Sequence, residues 1–236
     1  MADTAVDEDL RATKLIEAQA KAEALFAAIE QRGLITPGVG ERAVSDAIRD
    51  LAGDMFGITR FWHKRIVRSG VNTLLPYKEN PPDRVLEADD IAFADFGPLF
   101  EEWEADFGRT FVLGHDPVKH RLRDDLPRLF EAGRHFFEAD PEMTGERLYA
   151  HVAELAREAG WQFGNVHSGH LVGEFPHEKI VGDQREYYIA PGSDKPMRRL
   201  DRLGRQCHWI LEIHLVDTER QIGGFHEELL DLGHPG

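Results

Sequence analysis

The chain has 236 residues, an apolar fraction of 42% and a formal net charge of −15, from 43 acidic and 28 basic residues. This length and apolar content are sufficient for a sizeable core. The negative charge opposes binding to phosphate backbones and anionic lipid, so we expect no nucleic-acid or membrane partner.

Targeting signals and cysteine chemistry are also restricted by the sequence. No uncharged apolar stretch approaches the roughly 18 residues of a membrane-spanning helix. The acidic start MADTAVDEDL lacks the charged and apolar regions of a secretory signal, so we expect a cytoplasmic protein. Cys207 is the only cysteine, which excludes an intramolecular disulfide and a Cys-rich zinc site, and we expect it to pack in the core.

Two amphipathic helices are predicted near the start of the chain. From Asp9 to Arg32, apolar residues recur every three or four positions, and Glu, Lys and Gln occupy the other face. A second helix is predicted over residues 41–53, with its apolar residues on one side. The next segment, ITRFWHKRIV at 58–67, is predicted to be a strand.

Residues 36–57 and 143–164 resemble each other. Each segment contains Gly-Glu-Arg, then an amphipathic helix, then Phe-Gly. The two copies are 105 residues apart at the first motif and 107 apart at the second. Chance is one explanation of two such short matches. If the repeat is real, it predicts two related halves, each with a helix followed by a strand.

The rest of the chain is predicted to contain one more helix and several strands. The helix spans roughly 117–138, and NVHSGHLVG (165–173) has the character of a strand. CHWILEIHLVD and IGGFHEELLDL, joined by TERQ, are predicted to form a hairpin at 207–232. No linker-like run divides the chain, so we expect a single domain over residues 1–236. The longest loop-like segments are 81–90 and 187–206.

Several acidic residues occupy unusual positions. Asp95 and Asp106 lie in FADFGPLFEEWEADFGRTF, where the simplest interpretation is two solvated turn carboxylates. Glu212, however, lies inside the apolar run Trp-Ile-Leu-Glu-Ile, and a carboxylate there is costly to bury without a cation or a metal.

Glu227 and His170 complete a set of four carboxylates and one imidazole. A structural role remains the alternative for each acid taken alone. As a set, these oxygen-rich ligands suit two divalent ions, with bridging carboxylates and a water held between ions about 3.5–4 Å apart.

The order Asp-x10-Asp, His-x6-His, Glu, Glu resembles the pita-bread metallopeptidases, the family of methionine aminopeptidase, Xaa-Pro aminopeptidase and prolidase. DIAFADFG, from Asp90, and DFGRTF, from Asp106, fit the family's two Asp motifs. ITPGVGE and SGVNTLLPY resemble its Pro-Gly-x-(Thr/Ser)-Glu and Ser-Gly-x-Asn-x-x-x-Pro-His segments. The resemblance implies an α+β, creatinase/aminopeptidase-like pita-bread fold, with a curved antiparallel sheet flanked by helices in two pseudo-symmetric halves.

The same resemblance implies residue roles and cofactors. His177 would be an unliganded histidine that donates to the scissile carbonyl oxygen, and Glu212 would be the general base and later proton donor. Two divalent ions, chosen among Mn, Co, Fe and Zn with Mn as the first expectation, would activate a bridging water. The implied metal ligands are Asp95, Asp106, His170, Glu212 and Glu227.

Three further residues are candidate substrate contacts. Tyr77 stands where the family's Ser-Gly-x-Asn segment ends in His. His214 should share the face of Glu212, two residues before it, and line the pocket. Alternation along a strand predicts that His167 and His170 face opposite ways, so that only one of them reaches the metals. The family motif implies that this one is His170. For the other histidines, including His63, the sequence predicts only surface or core positions.

Departures from the family's pattern bear on the substrate. Ile213 and Leu229 replace a Pro and a Thr, and Phe225 replaces an Arg associated with proline-directed members. The helical region begins within the first dozen residues, so we expect no separate amino-terminal domain like that of Xaa-Pro aminopeptidase or prolidase. The His-Gly segment of methionine aminopeptidase is absent, which argues against removal of initiator Met.

We therefore expect a metal-dependent aminopeptidase or dipeptidase of the Xaa-Pro aminopeptidase-like family that cleaves short peptides. One alternative is a family member acting on a small amide or amino-acid derivative. Another is a non-catalytic peptide-binding module, which is disfavoured because all five ligands are present. A homodimer that walls off the cleft is also compatible with a domain of this size.

Overall fold

The computed structural model describes the backbone of residues 2–176, 184–201 and 203–233. It describes the side chains of residues 8–176, 185–201 and 203–233. Within these ranges the α-helices are α1 (Ala2–Gln31), α2 (Glu41–Phe56), α3 (Pro117–Glu138) and α4 (Gly145–Glu158). The strands are β1 (Ile66–Ser69), β2 (Ile91–Phe96), β3 (Leu99–Phe100), β4 (Trp103–Glu104), β5 (Phe107–Val112), β6 (Gln162–Phe163), β7 (Gly169–Val172), β8 (His208–Asp217) and β9 (Ile222–Leu229). The predicted third helix is confirmed over its whole length.

The main sheet has the order β1-β2-β5-β9-β8-β6, and β7 also pairs with β8. Its pairings within the described residues are antiparallel. β6 pairs with one end of β8 and β7 with the other, so these two short strands share one edge of the sheet. The predicted β8–β9 hairpin is confirmed, with Asp217 paired to Ile222 beside the turn.

The sheet and helices divide into two corresponding halves, as the internal repeat predicts. In the first half, β1 pairs with the β2–β5 pair, and in the second half, β7 pairs with the β8–β9 hairpin. The halves meet where β5 pairs with β9. α2 and α4 are the two helices of the repeat, and each helix lies before the strands of its own half.

Local signals define the helix ends. The Asp116 carboxylate accepts a hydrogen bond from the Val118 N–H at 2.8 Å, and Pro117 occupies the first turn of α3. Thr144 caps α4 by accepting from the Arg147 N–H at 3.3 Å. α2 ends at Gly57, whose φ of 68° lies in the left-handed region that favours glycine.

Apolar side chains form two main clusters, one under each half of the sheet. α1 and α2 pack against β2 and β5 around residues such as Leu25, Ile48 and Phe96. α3 and α4 pack against β8 around residues such as Phe130 and Leu211. Cys207 belongs to the second cluster, and burial raises the pKa of its thiol to about 11, so its predicted packing role is confirmed.

The predicted strand over 58–67 is wrong for most of its length. Regular pairing begins only at Ile66, and Phe61 makes a single bridge to Pro98. The preceding residues dock on the turn after β2 instead, where the Trp62 N–H donates to the Gly97 carbonyl at 2.9 Å and the Leu99 N–H donates to the Arg60 carbonyl at 3.1 Å. Tertiary contacts therefore override the local β-propensity of this segment.

A buried carboxylate links two of the sequence motifs. One oxygen of Glu41, from ITPGVGE, accepts from the Ser69 N–H at 2.6 Å and from Asn72 Nδ2 at 3.1 Å, and the other accepts from Asn72 Nδ2 at 2.9 Å. Ser69 and Asn72 belong to SGVNTLLPY. These charge-assisted bonds fix the turn that follows β1, which forms one wall of the cavity described below.

His208 connects α1, β8 and the segment after β9. Its Nε2 lies 2.8 Å from Glu8 Oε1, and its Nδ1 lies 2.8 Å from Asp231 Oδ2. Burial opposes protonation of the ring, but the two carboxylates outweigh it and raise the pKa of His208 above 6.5. Burial also works against the Glu8 carboxylate, yet the bond to His208 and its other contacts lower the pKa of Glu8 below 4.5.

We expect His208→Gln to destabilise the protein by about 2 kcal/mol, or about 4–8 °C in Tm for a domain of this size. Because the folded-state pKa of His208 is raised, its contribution is complete below pH 6.5 and is lost as the pH rises through that raised pKa. Thermal unfolding of both proteins from about pH 5.5 to 9 should show the difference in Tm shrinking with pH. A constant difference would contradict the charged bridge.

The described helices include none that is both long enough and apolar enough to cross a membrane.

Candidate metal centre

Three of the predicted ligands lie in one row across the sheet. Asp95 on β2 is paired with Gly108 on β5, Gly108 with Glu227 on β9, and Glu227 with Glu212 on β8. Gly108 leaves the space that this row requires, since a Cβ there would lie 2.6 Å from the Phe225 ring and 3.2 Å from Glu227 Cβ. Antiparallel pairing thus brings residues that are far apart in sequence onto one face.

Asp106 lies between two imidazoles. Its Oδ2 is 3.0 Å from His170 Nε2, and its Oδ1 is 3.0 Å from His63 Nε2. His63 Nε2 also lies 3.5 Å from Asp95 Oδ1. The Asp106 carboxylate therefore directs one oxygen to His63 and the other to His170, near the centre of a cluster formed by these three residues with Asp95, Glu212 and Glu227.

Glu212 and Glu227 close the side of the cluster around His170. His170 Nε2 is 3.7 Å from Glu212 Oε1 and 3.8 Å from Glu227 Oε1. Asn165 Nδ2 donates to Glu212 Oε2 at 3.3 Å. The structure thus places Asp95, Asp106, His170, Glu212 and Glu227 together.

Some buried carboxylate oxygens of the cluster have no hydrogen-bond donor among the described residues. Asp95, Asp106, Glu212 and Glu227 are each at most 6% exposed. Asp95 Oδ1 and Glu227 Oε2 are buried and have no hydrogen-bond partner among the described residues. Within the same residues, the ion pairs of these four carboxylates are all with histidines and none is with Lys or Arg. Unpaired buried carboxylate oxygens of this kind are the donors that a divalent cation requires.

Two groups of side chains in the cluster have ligand atoms within 4.8 Å of one another. One group is His63, Asp95 and Asp106, and the other is Asp106, His170 and Glu227. Both groups offer carboxylate oxygens and an imidazole nitrogen, which suit divalent transition metals. The residues present therefore fit a centre of two ions that shares Asp106.

The protonation states of the acids reflect this crowding. Burial raises the pKa of Asp95 to about 7, against the opposing charge of His63. Burial raises the pKa of Glu212 to about 7 as well, and the charge of Asp106 adds to the shift. Burial and neighbouring carboxylates raise the pKa of Glu227 well above its usual value. Without a metal, like charges this close are accommodated by protons.

The ionised partners of these acids are Asp106 and the two imidazoles. Burial would raise the pKa of Asp106, but the charges of His63 and His170 and their hydrogen bonds hold it well below its usual value. Burial likewise opposes protonation of His63 and His170, yet their carboxylate neighbours raise both pKa values to about 9. Without a metal, the protonated rings of His63 and His170 therefore supply the positive charge beside these carboxylates.

The cluster forms part of the wall of a cavity of about 900 Å³. The turn after β1 contributes Tyr77 and Lys78, and the hairpin of β8 and β9 contributes His214 and Phe225. Much of the remaining wall is aromatic, from Trp62, Phe93, Phe175, Tyr187 and Tyr188. A cavity of this size, apolar with a polar cluster in its wall, suits a small ligand.

Comparison with known proteins identifies the family. A sequence model described as metallopeptidase family M24 matches residues 13–199, which include Asp95, Asp106 and His170. The chain belongs to metallopeptidase family M24. The match ends before Glu212 and Glu227, but the sheet register places these two residues in line with Asp95, and both lie within 3.8 Å of His170 Nε2.

Individual relatives of this M24 chain include two proteins named Xaa-Pro dipeptidase. It is 33% identical over 158 residues to the Xaa-Pro dipeptidase of Pyrococcus furiosus, a match that covers 66% of this chain and 43% of the relative. A similar match, at 30% identity and with the same coverage, is to the Xaa-Pro dipeptidase of Pyrococcus horikoshii. The chain thus spans less than half the length of the curated relatives that it matches.

Solved structures agree on the fold. The X-Pro aminopeptidase of Thermotoga maritima superposes with a TM-score of 0.72 at 22% identity, covering 94% of this chain and 58% of that one. The methionine aminopeptidase of Rickettsia prowazekii superposes with a TM-score of 0.68 at 12% identity, covering 92% and 91%. The expected α+β pita-bread fold is therefore confirmed for this M24 chain.

The three candidate substrate contacts, Tyr77, His167 and His214, all line the cavity. Tyr77 is 41% exposed, the most accessible of the three. His214 is buried, with Nε2 2.8 Å from the Thr73 carbonyl oxygen, and burial lowers its pKa to about 4. Its ring thus supports the wall as a neutral donor.

The predicted opposite orientation of His167 and His170 is wrong. β7 begins at Gly169, so the alternation of side chains along a strand does not extend to His167. Its Nδ1 lies 3.5 Å from Glu212 Oε1, on the same side as His170. Burial and the nearby charge of His170 lower the pKa of His167 to about 4, which leaves a neutral ring beside Glu212.

Two histidines, His63 and His177, differ from the other candidate positions in how the structure bears on them. His63, for which the sequence predicts only a surface or core position, instead lies within the cluster. The signal that could have found it is its place in the internal repeat, discussed below. His177, predicted to contact the scissile carbonyl, lies outside the described residues.

Proposed function

We propose that this M24 chain forms the catalytic part of a two-metal aminopeptidase or dipeptidase that cleaves short peptides. The observation that carries the proposal is the convergence of four buried carboxylates and His170, with unpaired oxygens and, among the described residues, no Lys or Arg within ion-pair distance. A purely structural cluster would be expected to carry guanidinium or ammonium partners.

The proposed metal ligands are Asp95, Asp106, His170, Glu212 and Glu227, with Asp106 shared between the ions. Two divalent ions supply, when bound, a polarised scissile carbonyl and a water acidic enough to attack at neutral pH. Asp95, His170, Glu212 and Glu227 lie on β2, β7, β8 and β9, and Asp106 directly precedes β5, so the sheet sets most of the geometry.

Glu212 is the proposed proton carrier. Its Oε1 faces His167 and His170, and Asn165 holds its Oε2. It lies on the cavity wall, where it can accept a proton from the attacking water and return it to the leaving amine. The proposed role of His177, donation to the carbonyl oxygen, remains a prediction from the sequence.

The cavity wall bears on the substrate. Phe225 stands where proline-directed relatives are expected to have an Arg, and its ring packs 5.5 Å from Phe93 and 6.0 Å from His214. Arg68 also lines the cavity, but its guanidinium already donates to backbone carbonyls, including Pro76 at 3.0 Å and Glu79 at 2.8 Å. The neighbouring rings of Phe93 and Phe225 therefore make this part of the wall suited to an apolar residue beside the scissile bond.

Xaa-Pro dipeptidase is the activity named for two curated relatives, at 30–33% identity over part of their length. This supports a peptide substrate. Phe225, which replaces the Arg of proline-directed members, argues against recognition of the peptide's carboxyl end in the way those members would achieve it. We therefore propose a short peptide with an apolar residue next to the cleaved bond, with proline as one candidate.

The experiment is a library of dipeptides and tripeptides assayed separately with Mn, Co, Fe and Zn. We expect turnover of a subset of peptides with at least one metal, and none after chelation. Hydrolysis of only small amides or amino-acid derivatives would favour the first alternative function. Metal-independent peptide binding without turnover would favour the non-catalytic module and contradict the proposal.

A further inference from the structure

We propose that His63 is a sixth metal ligand, on the Asp95 side of the centre, which gives each of the two ions one imidazole. This inference rests on the proposed two-metal centre and adds a ligand to the five expected from the family resemblance. His63, Asp95 and Asp106 bring one ligand atom each within 4.8 Å of one another, as do Asp106, His170 and Glu227 on the other side.

The two imidazoles are arranged alike around Asp106. His63 Nε2 lies 3.0 Å from Asp106 Oδ1, and His170 Nε2 lies 3.0 Å from Asp106 Oδ2. Each Nδ1 lies 2.7 Å from the carbonyl oxygen of the next residue, Lys64 or Leu171. In a neutral imidazole whose Nδ1–H donates to a carbonyl, Nε2 is the atom that binds a metal, and this is the usual support for a histidine ligand. Metal binding displaces the proton from Nε2.

The chain holds the His63 ring in place. The backbone at residues 60–62 docks on residues 97–99, and Trp62 Nε1 donates to the Ala105 carbonyl at 2.9 Å. Gly97 is necessary for this packing, because a Cβ there would lie 2.1 Å from the His63 ring and 2.4 Å from Trp62 Nε1. The irregular segment before β1 is therefore fixed where the imidazole meets Asp95 and Asp106.

The internal repeat gives an independent reason for the pairing. Gly57 and Gly164, which end the two Phe-Gly motifs, are 107 residues apart, and so are His63 and His170. Each histidine follows its glycine by six residues. The two imidazoles thus occupy corresponding positions in the two halves, which matches their corresponding positions around Asp106.

A second imidazole changes the chemistry of the centre. Carboxylate-rich sites suit Mn and Mg, whereas imidazole suits Zn, Cu, Fe and Ni, and Co binds nitrogen-containing sites more tightly than Mn does. With one nitrogen ligand for each ion, the centre should prefer Zn or Co to Mn. This preference departs from Mn, the metal first expected from the sequence.

The test measures metal binding instead of activity. Full-length wild type and variants are loaded with Co²⁺ or Zn²⁺, desalted and examined for metal content, affinity and X-ray absorption fine structure. We expect two ions and about two imidazoles per ion pair in the wild type. In His63→Ala we expect one tight ion and affinity for the other lowered at least about 100-fold, since even groups one layer behind the ligands are worth about 10–100-fold.

Two variants separate a ligand from a hydrogen-bond partner. His63→Gln can still donate to Asp106 but is a poor metal ligand, so it should behave like His63→Ala. His115→Ala, at an exposed histidine before α3, should bind as the wild type does. One imidazole per ion pair in the wild type, or full binding by His63→Gln, would overturn the inference and leave the proposed function standing. A wild-type protein that binds no divalent ion would overturn both, and the wild-type absorption measurement does not depend on the variants folding.

Discussion

Asp106→Ala is expected to abolish binding of both metal ions and to lower peptide turnover by on the order of 10³-fold or more. Mutation of a residue that only supports a metal ligand already lowers metal affinity or activity by about 10–100-fold. Asp106 is the residue shared by both candidate groups of ligands. Its two oxygens lie 3.0 Å from His63 and His170, one on each side. Metal content of the desalted variant and its turnover with added metal are the two measurements.

The matched control for Asp106 is Asp90→Asn. Asp90 is also a buried aspartate, but its carboxylate pairs with Arg84 and accepts from the Glu87 N–H at 2.7 Å, outside the cluster. This variant can lose stability, yet it should retain both metals. If Asp106→Ala retains two ions while Asp90→Asn is folded and active, Asp106 is not the shared ligand.

The second large effect is expected for Glu212→Gln. The amide keeps the size of the side chain and one oxygen toward the metals but cannot carry a proton. We expect kcat to fall by about 10²–10⁴-fold, the usual range for loss of a general acid–base group. Burial raises the pKa of Glu212 to about 7, which places its titration near neutral pH even before a metal is bound. Steady-state turnover, with metal content measured in parallel, separates lost proton transfer from lost metal.

Glu228→Gln is the control for Glu212. Glu228 is a buried glutamate on β9 that pairs with Arg109. It is not among the residues that line the cavity. Loss of its charge should leave kcat within a few-fold of the wild type. Equal losses of kcat in the two variants would show that any buried charge change in this hairpin impairs the enzyme, and would contradict a special role for Glu212.

Much of the fold follows from patterns that are local in the sequence. The amphipathic period predicts the four α-helices of the described residues, with α3 at its observed bounds, and the apolar run around Glu212 predicts β8. Burial of Glu212 is predicted by the same run, because a continuous apolar run is typical of a strand that is buried on both faces. α1 starts earlier than predicted, since its first turns carry little apolar periodicity.

The errors occur where long-range contacts decide the local structure. Residues 58–65 have strand-like composition, but hydrogen bonds to residues 97–99 hold most of them outside the sheet. That docking also brings His63 to Asp106, 43 residues further along the chain. No local pattern encodes such a contact. The repeat contains the signal, through the equal spacing of His63 and His170 from their Phe-Gly motifs.

His167 illustrates a narrower limit of sequence reasoning. The rule that side chains alternate holds within a strand, and its use here required the correct start of β7. Because that strand begins at Gly169, two residues after His167, the rule assigned His167 to the wrong side. Strand boundaries are the least reliable part of a prediction from sequence, and an error of two residues is enough to misplace a side chain.

The central claim is that these buried carboxylates and imidazoles bind two divalent ions. The most direct measurement is the metal content of the full-length protein, purified without chelators, incubated with Zn²⁺ or Co²⁺ and freed of excess ion by desalting. We predict about two ions per chain, and about none in Asp106→Ala. Wild-type protein that retains no ion while its fold is intact would contradict the claim.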